Sequence, residues 1–199
     1  MMGRRPQARP RSPPKWNHPE SCDAMNAEQL RAAQAPLKEA YKADPARAMR
    51  VLRAVGVLNP AAQTCTIQAG LGPEIVAGLH EAAGGDGRSA CSGDMLLQSL
   101  AACAGVTLGA VSTALGIPVE GGRVIAEGEL DCRGTLGVDR SVPVGISSIR
   151  LAFELVTEAS DEQLANLIRL TERYCVIFQT LKVAPTFTVE VRRNSSASQ

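Results

Sequence analysis

The sequence predicts an α+β fold in which two long helices pack on antiparallel sheets. Three patterns predict it. Residues 92–115 are apolar almost throughout and carry helix end signals, residues 160–178 show a one-sided helical pattern, and residues 123–132 and 146–157 alternate apolar with polar side chains.

The elements follow in order. Residues 26–56 read as helical, with Asn26 and Gln29 forming a capping box. Pro36 is expected to break this run. Pro45 then opens a second short helix, Ala46 to Val55, that Gly56 ends. Cys65 and Ile67 alternate with Thr64, Thr66 and Gln68, which indicates a strand, and Ile75 to Leu79 a second one. Gly84-Gly85-Asp86-Gly87 is a loop without a nucleotide-binding spacing. Ser92 or Asp94 can cap the first long helix, and Gly116 and Pro118 close it. Its apolar character on all sides predicts a central buried helix. Ala101, Gly105 and Gly109 form a small-residue stripe for close packing, and Cys103 lies on roughly the opposite side with Leu100, Val106 and Thr107. Val124, Ala126, Gly128 and Leu130 form one face of a strand, and Ile149, Leu151, Phe153 and Leu155 one face of another. Ser160 and Gln163 box the start of the second long helix, whose buried side carries Leu164, Leu167, Ile168, Thr171, Cys175 and Phe178. Phe187, Val189 and Val191 predict a last strand.

Composition narrows the chemistry. A chain of 199 residues suits one domain with a real core. The division read from the pattern is a disordered basic tail over 1–24, a helical extension over 25–60, the main domain over 61–193 and a polar tail over 194–199. A net charge of +1 and 3% aromatic residues argue against a nucleic-acid partner. The Arg-rich start lacks an apolar segment of the secretory type, and no uninterrupted apolar run suggests a membrane span. Six cysteines without an export signal therefore point to reduced thiols in a cytoplasmic protein. Their spacing matches no zinc pattern, so no metal or bound cofactor is expected. With only two histidines, sulfur is the expected agent of any chemistry.

Each long helix carries one cysteine on its apolar side, Cys103 and Cys175. Both can be small buried hydrophobes, or both can be reactive. Spacing alone does not bring the two sulfurs together. Cys91 is either a loop thiol or an extra redox partner. His80 is either a strand-end histidine bonded to backbone or a partner that activates a thiol.

Leu96-Leu97-Gln98-Ser99-Leu100-Ala101-Ala102-Cys103 resembles the first cysteine segment of the OsmC/Ohr family, the osmotically inducible and organic hydroperoxide resistance proteins. Glu127 to Asp131 with Arg133-Gly134-Thr135-Leu136-Gly137 resembles the middle strand and turn of that family. Glu172-Arg173-Tyr174-Cys175 with Gln179-Thr180-Leu181 resembles its second cysteine motif. The resemblance spans about residues 64–192. It implies an intertwined homodimer and a thiol peroxidase that converts organic hydroperoxides to alcohols. Cys103 would be the peroxidatic thiolate and Cys175 the resolving thiol that forms a disulfide with it. An external dithiol, a lipoyl group in family members, would reduce that disulfide.

The family activates its thiolate with an Arg–acid pair. The acid lies nine or ten residues before the first cysteine, where this chain has Asp94 and Gly93. Asp94 can be that acid or a helix cap. No arginine lies between Arg53 and Arg88, so Arg88 is the candidate substitute and Arg53 a weaker one, unless Arg88 is a solvated loop charge. Ala104 and Val176 replace the usual Phe and Pro after the two cysteines. These departures leave two rival readings. One is a non-catalytic binding protein with the same fold, and the other is Cys–His acyl transfer through Cys103 and His80.

Overall fold

The computed structural model describes residues 25–68 and 72–193. The two tails expected at residues 1–24 and 194–199 lie outside the described residues. Helix α1 spans Ala27–Ala43. Asn26 accepts from the Glu28 and Gln29 amides while Gln29 reaches back to the Asn26 amide at 2.9 Å, so the expected capping box is present. Pro36 does not break α1, contrary to expectation. The Ala32 carbonyl that loses its donor lies on an exposed part of the helix, where water can replace it.

The second N-terminal helix does not form. Only a 3-10 turn, Pro45–Ala48, follows α1, and Met49 is already extended. Val55–Asn59 is instead strand β1, paired antiparallel with β2, Thr64–Gln68. Val55 and Val57 are β-branched and Gly56 is a poor helix former, so the segment suits a strand once β2 lies beside it. Gly56 is a point of close approach rather than a helix stop, because a Cβ there would lie 2.5 Å from the Cys65 sulfur. Strand β3, Ile75–Gly78, pairs antiparallel with β2, and the two-residue β4, Ala90–Cys91, pairs parallel with β3. The first sheet thus has the order β1-β2-β3-β4 and is not wholly antiparallel.

Helix α2 covers Ser92–Leu115. Cys91 occupies its N-cap without a side-chain bond, so neither Ser92 nor Asp94 serves as the cap; both lie inside the first turn. Gly116 closes the helix in the left-handed conformation at φ 67°. Leu100, Ala104, Leu108 and Ser112 form its buried stripe at spacing i, i+4, i+8, i+12. That stripe sits one residue before the small-residue stripe expected from the sequence. Gly105 meets Val124, but a Cβ at Gly109 would touch nothing. The expected burial on all sides is also absent in the single chain, where Val106 is 76% exposed. By length and composition α2 alone among the described helices could cross a membrane, but its Leu100–Ser112 stripe is buried in the fold.

Strand β5, Gly121–Glu129, pairs antiparallel with β6, Ser148–Val156, and the short α3, Cys132–Thr135, lies between them. The alternation read from the sequence holds here. Val124 faces Phe153 and Ala126 faces Leu151, and all four pack toward α2. The other face carries the cross-strand ion pairs Arg123–Glu154 and Arg150–Glu127. Such exposed pairs contribute about 0.2–1 kcal/mol each, so the apolar face holds the sheet in place.

Helix α4, Asp161–Tyr174, starts with the expected capping box of Ser160 and Gln163. The second long helix is not continuous. It stops at Tyr174, and α5, Val176–Lys182, begins after Cys175. The expected final strand is absent. Residues 184–193 have no regular secondary structure, and Phe187 and Val189 are 81% and 88% exposed. Alternation decides which side chains share a face, but a strand also needs a backbone partner. Two core clusters lie along α2. One contains Leu108, Ile117 and Leu167, and the other contains Leu100, Ala104 and Cys175.

Candidate active site

The second core cluster is where the two sequence-predicted cysteines meet. Cys103 lies on α2 beside Leu100 and Ala104, half-buried, and packs against Cys175. Cys175 is only 1% exposed. It ends α4 through its amide, which donates to Thr171 at 2.9 Å, and its carbonyl receives the Gln179 amide at 3.0 Å to start α5. The break between the helices turns the first amides of α5 toward the Cys103 sulfur. Both thiols are free.

The surroundings separate the two thiols electrostatically. Burial penalises the Cys103 thiolate. The Ile177 amide, the Cys175 thiol, the Val176 amide and the Thr107 hydroxyl together outweigh that penalty and hold the Cys103 thiol below its ordinary value. Burial is also the largest influence on Cys175. The Phe178 amide opposes it, but the neighbouring Cys103 sulfur adds to it, and the Cys175 thiol is pushed up. The pair titrates as a unit in which Cys103 ionises first and Cys175 keeps its proton.

The other candidate residues lie elsewhere. Asp94 is exposed in the first turn of α2. Nine residues separate it from Cys103, which rotates it by about 180° around the helix. Arg88 is exposed on the glycine-rich loop, 4.0 Å from Asp86. Neither residue contributes to the environment of the Cys103 sulfur, and no charged group of the described chain does. His80 caps the 3-10 turn Glu81–Ala83, its Nδ1 accepting from the Ala82 amide at 3.0 Å, which is the backbone-bonded alternative read from the sequence. Cys91 sits half-buried at the α2 N-cap. Among the described residues no group of His, Cys, Asp and Glu is placed to hold a metal.

The contacts missed from the sequence are those of α5. The Val176 and Ile177 amides belong to a helix start that periodicity does not reveal, because Phe178 continues the apolar phase of α4. Thr107 was legible as a residue on the Cys103 side of α2, but its role was not. An apolar groove of about 440 Å³ borders the site. Leu100, Leu151, Phe153, Phe178 and Leu181 line it with Glu172 and Lys182, and Leu100 and Phe178 also pack around Cys175. Cys103 itself is not part of the groove wall.

Residues 85–190 match the family described as OsmC-like protein. Among solved structures, the chain is similar to an OsmC-like protein from Mycoplasma pneumoniae, with 18% identity, a TM-score of 0.57, and coverage of 68% of this chain and 89% of that one. It is also similar to a hypothetical protein from Aquifex aeolicus VF5, with 20% identity, a TM-score of 0.53, and coverage of 68% and 90%. A third, an organic hydroperoxide resistance protein from Legionella pneumophila, is 14% identical with a TM-score of 0.50, covering 68% and 91%. A search of the curated proteins finds no match. At these identities the structural likeness establishes the fold.

Proposed function

The chain belongs to the OsmC-like family, and from that premise we propose that it is a thiol-dependent peroxidase that reduces organic hydroperoxides to alcohols. The observation that carries this reading is the Cys103–Cys175 contact with its opposed ionisation. A peroxidatic thiol must be a thiolate near neutral pH, and a resolving thiol must lie beside it.

The Cys103 thiolate attacks the distal oxygen of the hydroperoxide. The O–O bond breaks, the alkoxide leaves as the alcohol after taking a proton, and Cys103 becomes a sulfenic acid. Cys175 then gives its proton away and attacks that sulfur, water leaves, and a disulfide forms. An external dithiol, for which a lipoyl group is the proposed form, supplies two electrons and regenerates both thiols. Arg88 and Asp94 have no part in these steps as placed in the single chain. The apolar walls around Leu100 and Phe178 suit an organic peroxide better than hydrogen peroxide. The uncovered apolar side of α2, with Val106 exposed, supports assembly as a homodimer. A cytoplasmic location fits five free thiols among the described residues.

The test is consumption of cumene hydroperoxide in the presence of dihydrolipoamide. Wild-type protein is expected to turn over. Cys103→Ser should abolish turnover, and Cys175→Ser should stop recycling through the disulfide. That neither Arg88 nor Asp94 acts on the Cys103 sulfur favours a second reading, a non-catalytic binding member of the family. No hydroperoxide consumption, with Cys103 titrating as an ordinary thiol, would establish that reading instead.

A further inference from the structure

The link between α1 and β1 presents apolar and cationic side chains side by side. The 3-10 turn that Asp44 caps releases the chain at Met49, and residues 50–54 run to β1 without regular structure. Met49 is 77% exposed, Val51 96% and Leu52 87%. Arg47, Arg50 and Arg53 alternate with them and are exposed as well. Residues 45–73 contain these three arginines and no Asp or Glu. Among the described residues none of the three forms an ion pair. Arg50 donates only to the Arg47 and Met49 carbonyls, at 2.6 and 2.8 Å, so its charge stays on this segment.

We propose that residues 47–53 are an interfacial segment that docks the protein on an anionic lipid surface. Arg47, Arg50 and Arg53 would meet the lipid phosphates, and Met49, Val51 and Leu52 would enter the acyl boundary beneath them. Apolar tips and unpaired cations one residue apart need a surface that is apolar and anionic within one side-chain length. The headgroup region of an anionic bilayer has that character. Guanidinium groups suit phosphates because their planar donors match two oxygens at once. The segment is far too short to cross a bilayer, so it lies on the surface.

The experiment is sedimentation of the full chain with vesicles made of equal parts phosphatidylcholine and phosphatidylglycerol, and with vesicles of phosphatidylcholine alone. Wild-type protein should bind the anionic vesicles, come off as salt is raised and leave the neutral ones unbound. Each arginine near such a surface is worth about fivefold in partitioning, so replacing all three by Gln should cost about 100-fold. Val51→Ser with Leu52→Ser keeps the charge and should cost at least about tenfold. These side chains pack on nothing in the fold, so the variants should melt like wild type. Binding that is absent, equal on neutral vesicles, or unchanged in either variant overturns the proposal. So does hydrogen-exchange protection of residues 49–53 without lipid that grows with protein concentration, because a second copy would then be the partner.

Discussion

The Cys103 sulfur lies against Cys175, the residue that both ends α4 and precedes the first amides of α5. One helix break therefore supplies a neighbouring thiol and two backbone donors to the same atom. The two thiols should differ in reactivity. The thiolate fraction of each rises as pH passes its own pKa, and Cys103 lies below the ordinary thiol value while Cys175 lies above it. Limiting iodoacetamide near neutral pH should label Cys103 ahead of Cys175, and the gap should narrow as pH rises. Preferential labelling of Cys175 would contradict the assigned roles.

Removing the Cys175 sulfur should make Cys103 less acidic. Cys175→Ala takes away a donor but leaves the Val176 and Ile177 amides in place. The alkylation profile of Cys103 should move to higher pH by less than one full unit, because the amides remain. A move to lower pH would mean that the neighbouring thiol opposes ionisation.

Leu167 is fully buried on α4 in the other core cluster, eight residues before Cys175. Leu167→Ala should cost about 2–5 kcal/mol of stability, read as a lowered midpoint in urea with an unchanged slope. The order of alkylation of the two cysteines should be retained in the folded variant. A cost under about 0.5 kcal/mol would show that this cluster is not the packed core.

Gly56 tests the assignment of residues 55–59 to the sheet. Gly56→Ala drives a methyl group toward the Cys65 sulfur and Ile67, and should cost about 1 kcal/mol. Combining it with Cys65→Ala should recover part of the loss, a non-additivity read from thermal melts. Strict additivity would remove that contact from the account.

The sequence revealed much of this architecture because burial periodicity is local. The capping boxes at Asn26 and Ser160, the alternation of Val124 and Ala126 against Phe153 and Leu151, and the place of Cys103 on α2 were legible that way. Strand β1 was not, because Val55 and Val57 give too short an alternation to mark a strand without its partner β2. Pro36 was read as a stop, yet α1 runs through it where the orphaned carbonyl faces solvent. The turn at Cys175 left no mark because Leu167, Thr171, Cys175 and Phe178 keep one phase across it. Recognition of two cysteine motifs in order identified the thiols, but not the uncharged donors that surround Cys103.

The most direct test of the central claim is intact mass with peptide mapping, before and after one equivalent of cumene hydroperoxide without reductant. The account predicts a loss of two hydrogens per chain and a single new cross-linked peptide joining Cys103 to Cys175. Both thiols still open to alkylation after the treatment would contradict it.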